Sequence, residues 1–237
     1  MSKDQRLKDI SEKWLLESIK NEYSYHFTWL GLPIIQYPQD IIAIQEIIWK
    51  IKPDLIIETG VARGGSLIFS ASLLELIGKG EVVGIDIDIR TENKRAIKNH
   101  PLNKRITMLE GSSIDKKIFE DVKKIAQGKK KILVILDSNH THKHVLSELK
   151  LYSTFVSKNS YLVVFDTIID NLPKELLNNR PWGVKNNPKT AIKEFLKTNQ
   201  RFRVDKSLEK KLLLTAAPMG YLKCIENKNI KKIKNKT

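Results

Sequence analysis

The segment Asp137-Ser138-Asn139-His140-Thr141-His142-Lys143-His144 packs one carboxylate and three imidazoles into eight residues. A second carboxylate stands in Phe165-Asp166-Thr167. Each aspartate follows a continuous apolar run, Ile132–Leu136 and Tyr161–Phe165, of the kind that forms a strand buried on both faces. If those strands are neighbours, the carboxylates converge, and they repel unless a cation lies between them. Hard oxygen donors without a thiolate favour magnesium or calcium over zinc. A second chemistry is also open. His140 and His144 are four apart and would share a helix face, so with Asp137 they could form a two-histidine, one-carboxylate iron site. A lone aspartate after a strand is commonly a cap, so the metal reading rests on the pair. His142 by itself reads as an exposed polar residue near a helix start.

Three further segments carry ligand-binding residue types. The first is Glu58-Thr59-Gly60-Val61-Ala62-Arg63-Gly64-Gly65-Ser66. Gly60 permits a tight turn, and Gly64-Gly65 let the backbone approach a ligand. Ser66 is suited to cap the next helix. The loop lacks the Gly-Lys-Ser/Thr ending of a P-loop and the full G-x-G-x-x-G spacing. Its spacing, E-x-G-x-x-x-G-x-S, instead resembles the first motif of S-adenosylmethionine-dependent methyltransferases, in which the acid and glycines hold the amino-acid end of the cofactor. The second segment is Gly84-Ile85-Asp86-Ile87-Asp88. An acid here can accept both ribose hydroxyls, and Asp86 is better placed than Asp88, which reads as a cap or surface carboxylate. The third is Glu110-Gly111-Ser112-Ser113-Ile114-Asp115, whose small polar residues could border an adenine ring. Ser113 could equally cap the helix that follows.

Positioning these loops requires a sheet whose strands all end on one edge. The runs Leu55–Ile57, Val82–Ile85, Ile106–Leu109, Ile132–Leu136 and Tyr161–Phe165 are short, β-rich and continuous. Helical stretches separate them: Ser66–Ile77, Glu92–Asn99, Asp115–Ala126 and Thr141–Tyr152. Strand–helix alternation predicts an α/β doubly wound sheet, with ligands beyond the carboxyl ends of the strands. Arg201–Asp205 and Tyr221–Ile225 could add a final hairpin. Residues 1–50 read as an amphipathic helical extension with an aromatic patch around Trp29. The helix over Asp40–Trp49 is stopped by Pro53. Ile168–Asn187 reads as a long functional loop. The resulting division is an extension over 1–50, a catalytic domain over 51–226 and a basic, disordered tail over 227–237.

Taken together the segments resemble the cephalosporin hydroxylase/rhamnosyl O-methyltransferase family. The carrying residues are Phe27–Gly31, Pro38-Gln39-Asp40, Lys52–Ser66, Gly84–Asp88, Leu136–His142, Val163–Thr167 and Gly220–Lys223. The resemblance implies a Rossmann-like class I methyltransferase fold, a mostly parallel seven-stranded sheet with helices on both faces and an antiparallel last strand. It implies S-adenosylmethionine held by Glu58, Gly60, Ala62, Gly64, Ser66, Asp86, Ser112 and Asp137. It further implies magnesium on Asp137 and Asp166, with Thr167 or water completing the shell, because Phe165 stands where some members carry another acid. Catechol-type methyltransferases place a lysine base three residues after their metal aspartate, and the equivalent position here is His140. The implied acceptor is a sugar or glycan hydroxyl, with Trp29, Trp182 and the Ile168–Asn187 loop shaping its pocket.

Composition bounds these readings. The 237 residues contain one cysteine, so there is no internal disulfide and no cysteine-based zinc site. The N-terminus lacks an apolar signal core and no eighteen apolar residues run together, which fits a reducing cytoplasm. The net charge of +15 invites a nucleic-acid reading. Yet most of the basic residues are lysine, and the last eleven residues hold five of them and no acid. A solvated surface therefore accounts for the charge without nucleic acid. The alternatives are an iron-dependent hydroxylase, an NAD-linked enzyme, a nucleic-acid methyltransferase and a non-catalytic binding module. The apolar N-terminal region suggests a homo-oligomer.

Overall fold

The computed structural model describes residues 3–226. Its centre is a sheet of seven strands. They are β3 (Leu55–Thr59), β4 (Glu81–Asp86), β5 (Ile106–Glu110), β6 (Ile132–Leu136), β7 (Tyr161–Val164), β8 (Phe202–Val204) and β9 (Tyr221–Cys224). Their order is β5-β4-β3-β6-β7-β9-β8, and β9 runs antiparallel to both of its neighbours. Every residue of β3, β6 and β7 is buried, as continuous apolar runs require. Side chains alternate between two cores. Ile56, Leu133, Ile135 and Val163 face helices α2 (Pro38–Ile51) and α3 (Gly65–Ile77). Leu55, Ile57, Val134 and Leu162 face α5 (Lys116–Ile125), α6 (His142–Tyr152) and α7 (Pro188–Thr198). The sheet order reverses beside β3, and β3 and β6 diverge into their loops there, which puts a ligand crevice at their carboxyl ends.

The expected strands and intervening helices are present, with boundaries shifted by a residue or so. The expected final hairpin is modified. β8 and β9 pair antiparallel, but α8 (Lys206–Leu212) and a turn over 213–220 lie between them. Helix α7 adds to the helices expected from the sequence, with apolar residues 191, 192, 195 and 196 at helical spacing. Its Asn187 cap, Pro188 and buried Ala191, Ile192 and Phe195 fix it against α6. The aromatic patch of the extension also departs from a helical reading. Gly31, at φ 93°, turns a small hairpin, β1 (Thr28–Trp29) and β2 (Leu32–Pro33), between α1 (Gln5–Lys20) and α2. The hairpin abuts the start of α3 so closely that a Cβ on Gly65 would lie 2.2 Å from the Pro33 carbonyl oxygen. Residues 227–237, expected as a disordered tail, lie outside the described residues.

Candidate active site

The glycine loop leaves β3 at Gly60, whose φ of 93° only glycine adopts without strain. A Cβ there would meet the Asp137 carbonyl oxygen at 2.2 Å, so the loops after β3 and β6 are in backbone contact. Gly64, at φ 86°, occupies the N-cap of α3. Ser66 therefore does not cap that helix. It sits one residue inside it, and its hydroxyl donates to Glu58 Oε1. Glu58 is 2% exposed, and its Oε2 has no hydrogen-bond partner. Burial pushes its carboxyl up to about 7, against a smaller opposing effect of Ser66. Such an orphaned buried oxygen beneath a glycine loop fits a cationic ligand group. Asp86 lies at the end of β4 as expected. Its Oδ2 accepts from the amides of Val61 at 2.8 Å and Ala62 at 3.2 Å, and so braces the glycine loop. Its Oδ1 meets only the Asp88 amide, at 3.3 Å, and retains accepting capacity. Asp88 is exposed, and Ser112 is half-buried beyond β5.

Asp137 and Asp166 end adjacent strands and do converge. Together with His140 they offer ligand atoms that all lie within 4.8 Å of one another. His140 Nε2 is 3.3 Å from Asp166 Oδ2. Burial first, and then the charges of Asp166, Glu58, Glu148 and Asp40, push the Asp137 carboxyl well above its ordinary value. A protein this basic thus gathers acids at one spot, a donor set that fits a hard divalent cation. Thr167, expected to complete the shell, turns its hydroxyl hydrogen to a partner outside the carboxylate cluster. It is fully buried, and its hydroxyl donates to the Pro218 carbonyl at 2.7 Å.

The two-histidine site is not formed. His140 precedes α6, so His140 and His144 share no helix face. His144 turns instead toward the Ser113 hydroxyl, 3.0 Å away, and buried Glu148. Ser113 is no helix cap either. Asp115 caps α5, while Ser113 and Ser138 both donate to Glu148 Oε1, tying the loops after β5 and β6 together. His142 has a firmer role than its sequence suggested, meeting Thr190 at 2.8 Å and Glu194 at 3.1 Å on α7.

A cavity of about 350 Å³ opens beside the carboxylates. Its walls include Tyr25, Tyr37, Ile168, Leu172, Leu176 and Trp182. The 168–187 segment is therefore a wall, as expected, and Trp182 packs edge-on against His140 at 4.7 Å. Trp29 is a packing residue instead. It stacks edge-on with Phe69, and its Nε1 donates to Ser72. A smaller space beneath the glycine loop shares Ile35, Gln36, Ala62 and Asp137 with the cavity. Sequence reasoning gave no role to Asp40 or Glu148. Asp40 was visible in Pro38-Gln39-Asp40, but its burial depends on contacts made 175 residues further on, at Thr215.

Strand order, antiparallel last strand, glycine loop and acid after β4 together define a Rossmann-like class I methyltransferase. The model of the family described as Rhamnosyl O-methyltransferase/CmcI matches residues 21–225. A rhamnosyl O-methyltransferase of Mycobacterium bovis is 31% identical over 198 residues, covering 82% of this chain and 77% of the relative. The one from Mycobacterium leprae is 32% identical over 147 residues, covering 62% of each. Among solved structures, CmcI with magnesium and S-adenosylmethionine aligns with TM-score 0.60 at 19% identity, over 85% of this chain and 78% of that one. MycE methyltransferase from the mycinamycin biosynthetic pathway, with magnesium and S-adenosylhomocysteine, aligns with TM-score 0.51 at 16% identity. That alignment covers 91% of this chain and 54% of the other. The chain belongs to the rhamnosyl O-methyltransferase/CmcI family, and it is an S-adenosylmethionine-dependent O-methyltransferase. Among the described residues no helix is long and apolar enough to cross a membrane.

Proposed function

We propose that the enzyme methylates a hydroxyl of a sugar or glycan with the help of a divalent metal, magnesium by the chemistry of its donors. The observation that carries this is the convergence of Asp137, His140 and Asp166 on a cavity that adjoins the glycine loop. The cofactor supplies an already activated methyl group, and the metal supplies Lewis acidity toward the acceptor oxygen.

The residues of the chain do the rest. Glu58 Oε2 holds the ammonium of the cofactor, the backbone from Gly60 through Ala62 and Gly64 lines its methionine portion, and Ser66 orients Glu58. Asp86 takes the ribose, with Ser112 toward the adenine. Asp137 and Asp166 hold the cation. His140 Nε2, turned toward the carboxylates, accepts the hydroxyl proton, and Asp166 stabilises the imidazolium that forms. Trp182 and Tyr25 offer aromatic faces to a sugar ring, and rhamnosyl relatives support a saccharide acceptor. Mutual orientation of donor and acceptor across Ala62 and Asp137 supplies much of the rate. We further assign residues 1–50 as an extension and 51–226 as the catalytic domain, working in the cytoplasm. The apolar extension is the surface for self-association.

The test is Asp137→Ala read against a rhamnoside acceptor. Methyl transfer is lost while S-adenosylmethionine still binds in calorimetry within a few-fold. Retained metal-stimulated activity would remove Asp137 from the reaction.

A further inference from the structure

Asp166 adopts φ 54°, in the left-handed region that non-glycine residues enter uncommonly, aspartate more readily than most. The conformation decides where its carboxylate points, here to within 3.3 Å of His140 Nε2. The segment around Asp166 is gripped by one turn, residues 215–220. The Val164 amide donates to the Gly220 carbonyl at 2.9 Å, and the Ile168 amide to that of Ala216 at 3.1 Å. Thr167 Oγ1 donates to the Pro218 carbonyl at 2.7 Å. The approach is too tight for a side chain, since a Cβ on Gly220 would lie 2.1 Å from the Val164 oxygen.

That turn is itself fastened from two sides, by the Glu209 carboxylate, which accepts from the Met219 amide, and by Asp40. The carboxylate of Asp40, near the start of α2, is 0% exposed. Its Oδ1 accepts from the Thr215 hydroxyl and, at 2.7 Å, from the Tyr221 hydroxyl. Its Oδ2 accepts from the Ala216 amide at 2.8 Å. A buried carboxylate with no cationic partner is an expensive way to fasten a turn, and an apolar contact would stabilise the fold as well or better. Its geometry does what an apolar contact cannot, fixing two donors of the turn and the Tyr221 hydroxyl of β9 at defined directions.

We infer that Asp40 and Thr167 are positioning residues that, through the 215–220 turn, hold Asp166 in its left-handed conformation so that its carboxylate is aimed for the metal. This rests on the metal reading proposed above. The N-terminal extension, whose Tyr25 and Tyr37 already line the cavity, thereby also bears on the metal site.

The experiment titrates Mn²⁺ into the full-length protein, followed by paramagnetic resonance, and S-adenosylmethionine separately by calorimetry. Thr167→Val keeps the shape and removes the hydroxyl. It weakens Mn²⁺ binding roughly tenfold, the size of one lost hydrogen bond, and leaves S-adenosylmethionine affinity unchanged. Thr167→Ser restores Mn²⁺ affinity. Asp40→Asn, which turns one of the two accepting oxygens into a donor, acts in the same direction. If Asp40→Asn does not fold, Thr167→Val decides alone. Mn²⁺ affinity unchanged in Thr167→Val, while Asp166→Asn abolishes it, would overturn the positioning role. Equal loss of Mn²⁺ and cofactor affinity would overturn it too, marking a general loosening. Unchanged Mn²⁺ binding by Asp166→Asn would overturn the metal reading, and this inference with it.

Discussion

Glu58 is the residue whose chemistry is most constrained by its surroundings. Its buried carboxyl is held near neutrality until a cation arrives, with a value of about 7 without ligand. Binding an ammonium requires the ionised form, so cofactor affinity increases with pH between about 5 and 7 and then levels off. Glu58→Gln abolishes that dependence as well as weakening binding, and calorimetry across this range reads both. An unaltered slope in the variant would mean that another group titrates. His140 makes a separate prediction. His140→Ala lowers turnover roughly a hundredfold or more with little change in cofactor affinity, read by steady-state kinetics beside calorimetry. At this scale the sequence disclosed residue types better than directions. Glu58, Asp86, Asp137, His140 and Asp166 were legible because each stands at or just beyond the carboxyl end of a strand. Thr167 and Ser113 have the right type and place, but their hydroxyls are turned to Pro218 and Glu148, distant in the chain, and that of Ser66 turns back to Glu58 across the glycine loop.

At the level of elements, the site depends on how closely β3 and β6 approach at their ends. Gly60→Ala would force a Cβ against the Asp137 carbonyl in a backbone conformation that alanine resists. The expected cost is roughly 2 kcal/mol or more in urea denaturation, with loss of cofactor binding in whatever fraction folds. A variant that bound the cofactor normally would show that the two loops can separate freely. The parallel strands were readable because burial on both faces erases polar alternation and leaves continuous runs such as Ile132–Leu136. The β1–β2 hairpin and α7 were not. One is set by two-residue strands docked on α3, and the other by a cap and four buried side chains among lysines. The hairpin has no periodic signal long enough to detect, whereas α7 has helical spacing and an Asn187-Pro188 start but lies beyond the strand–helix alternation.

Across the whole molecule, charge is distributed in two opposed ways. The surface is basic, while acids gather at one crevice, Asp40, Glu58 and Glu148 buried and Asp86, Asp137 and Asp166 partly exposed. Asp40 is pushed up to about 6 and Glu58 to about 7, both chiefly by burial. A carboxyl raised in the folded state gives stability that is full below its unfolded value and lost as pH rises through its folded one. Asp54, Asp170 and Asp205 are shifted the other way, so their contribution is already complete above about pH 4. The ligand-free protein therefore loses stability between about pH 4 and 7, up to about 3 kcal/mol for each buried acid. Calorimetric unfolding detects this as a falling Tm, and cofactor with magnesium recovers more of it at pH 7.5 than at pH 5. A Tm that rose over that range would contradict the buried-acid account. The central claim, metal-assisted methyl transfer to a sugar hydroxyl, is tested most directly by one measurement. Methyl transfer from labelled S-adenosylmethionine to a rhamnoside is followed by mass spectrometry before chelation, after chelation and after magnesium is restored. The account predicts methylated rhamnoside, then near-complete loss, then recovery. Equal product in excess chelator would contradict it.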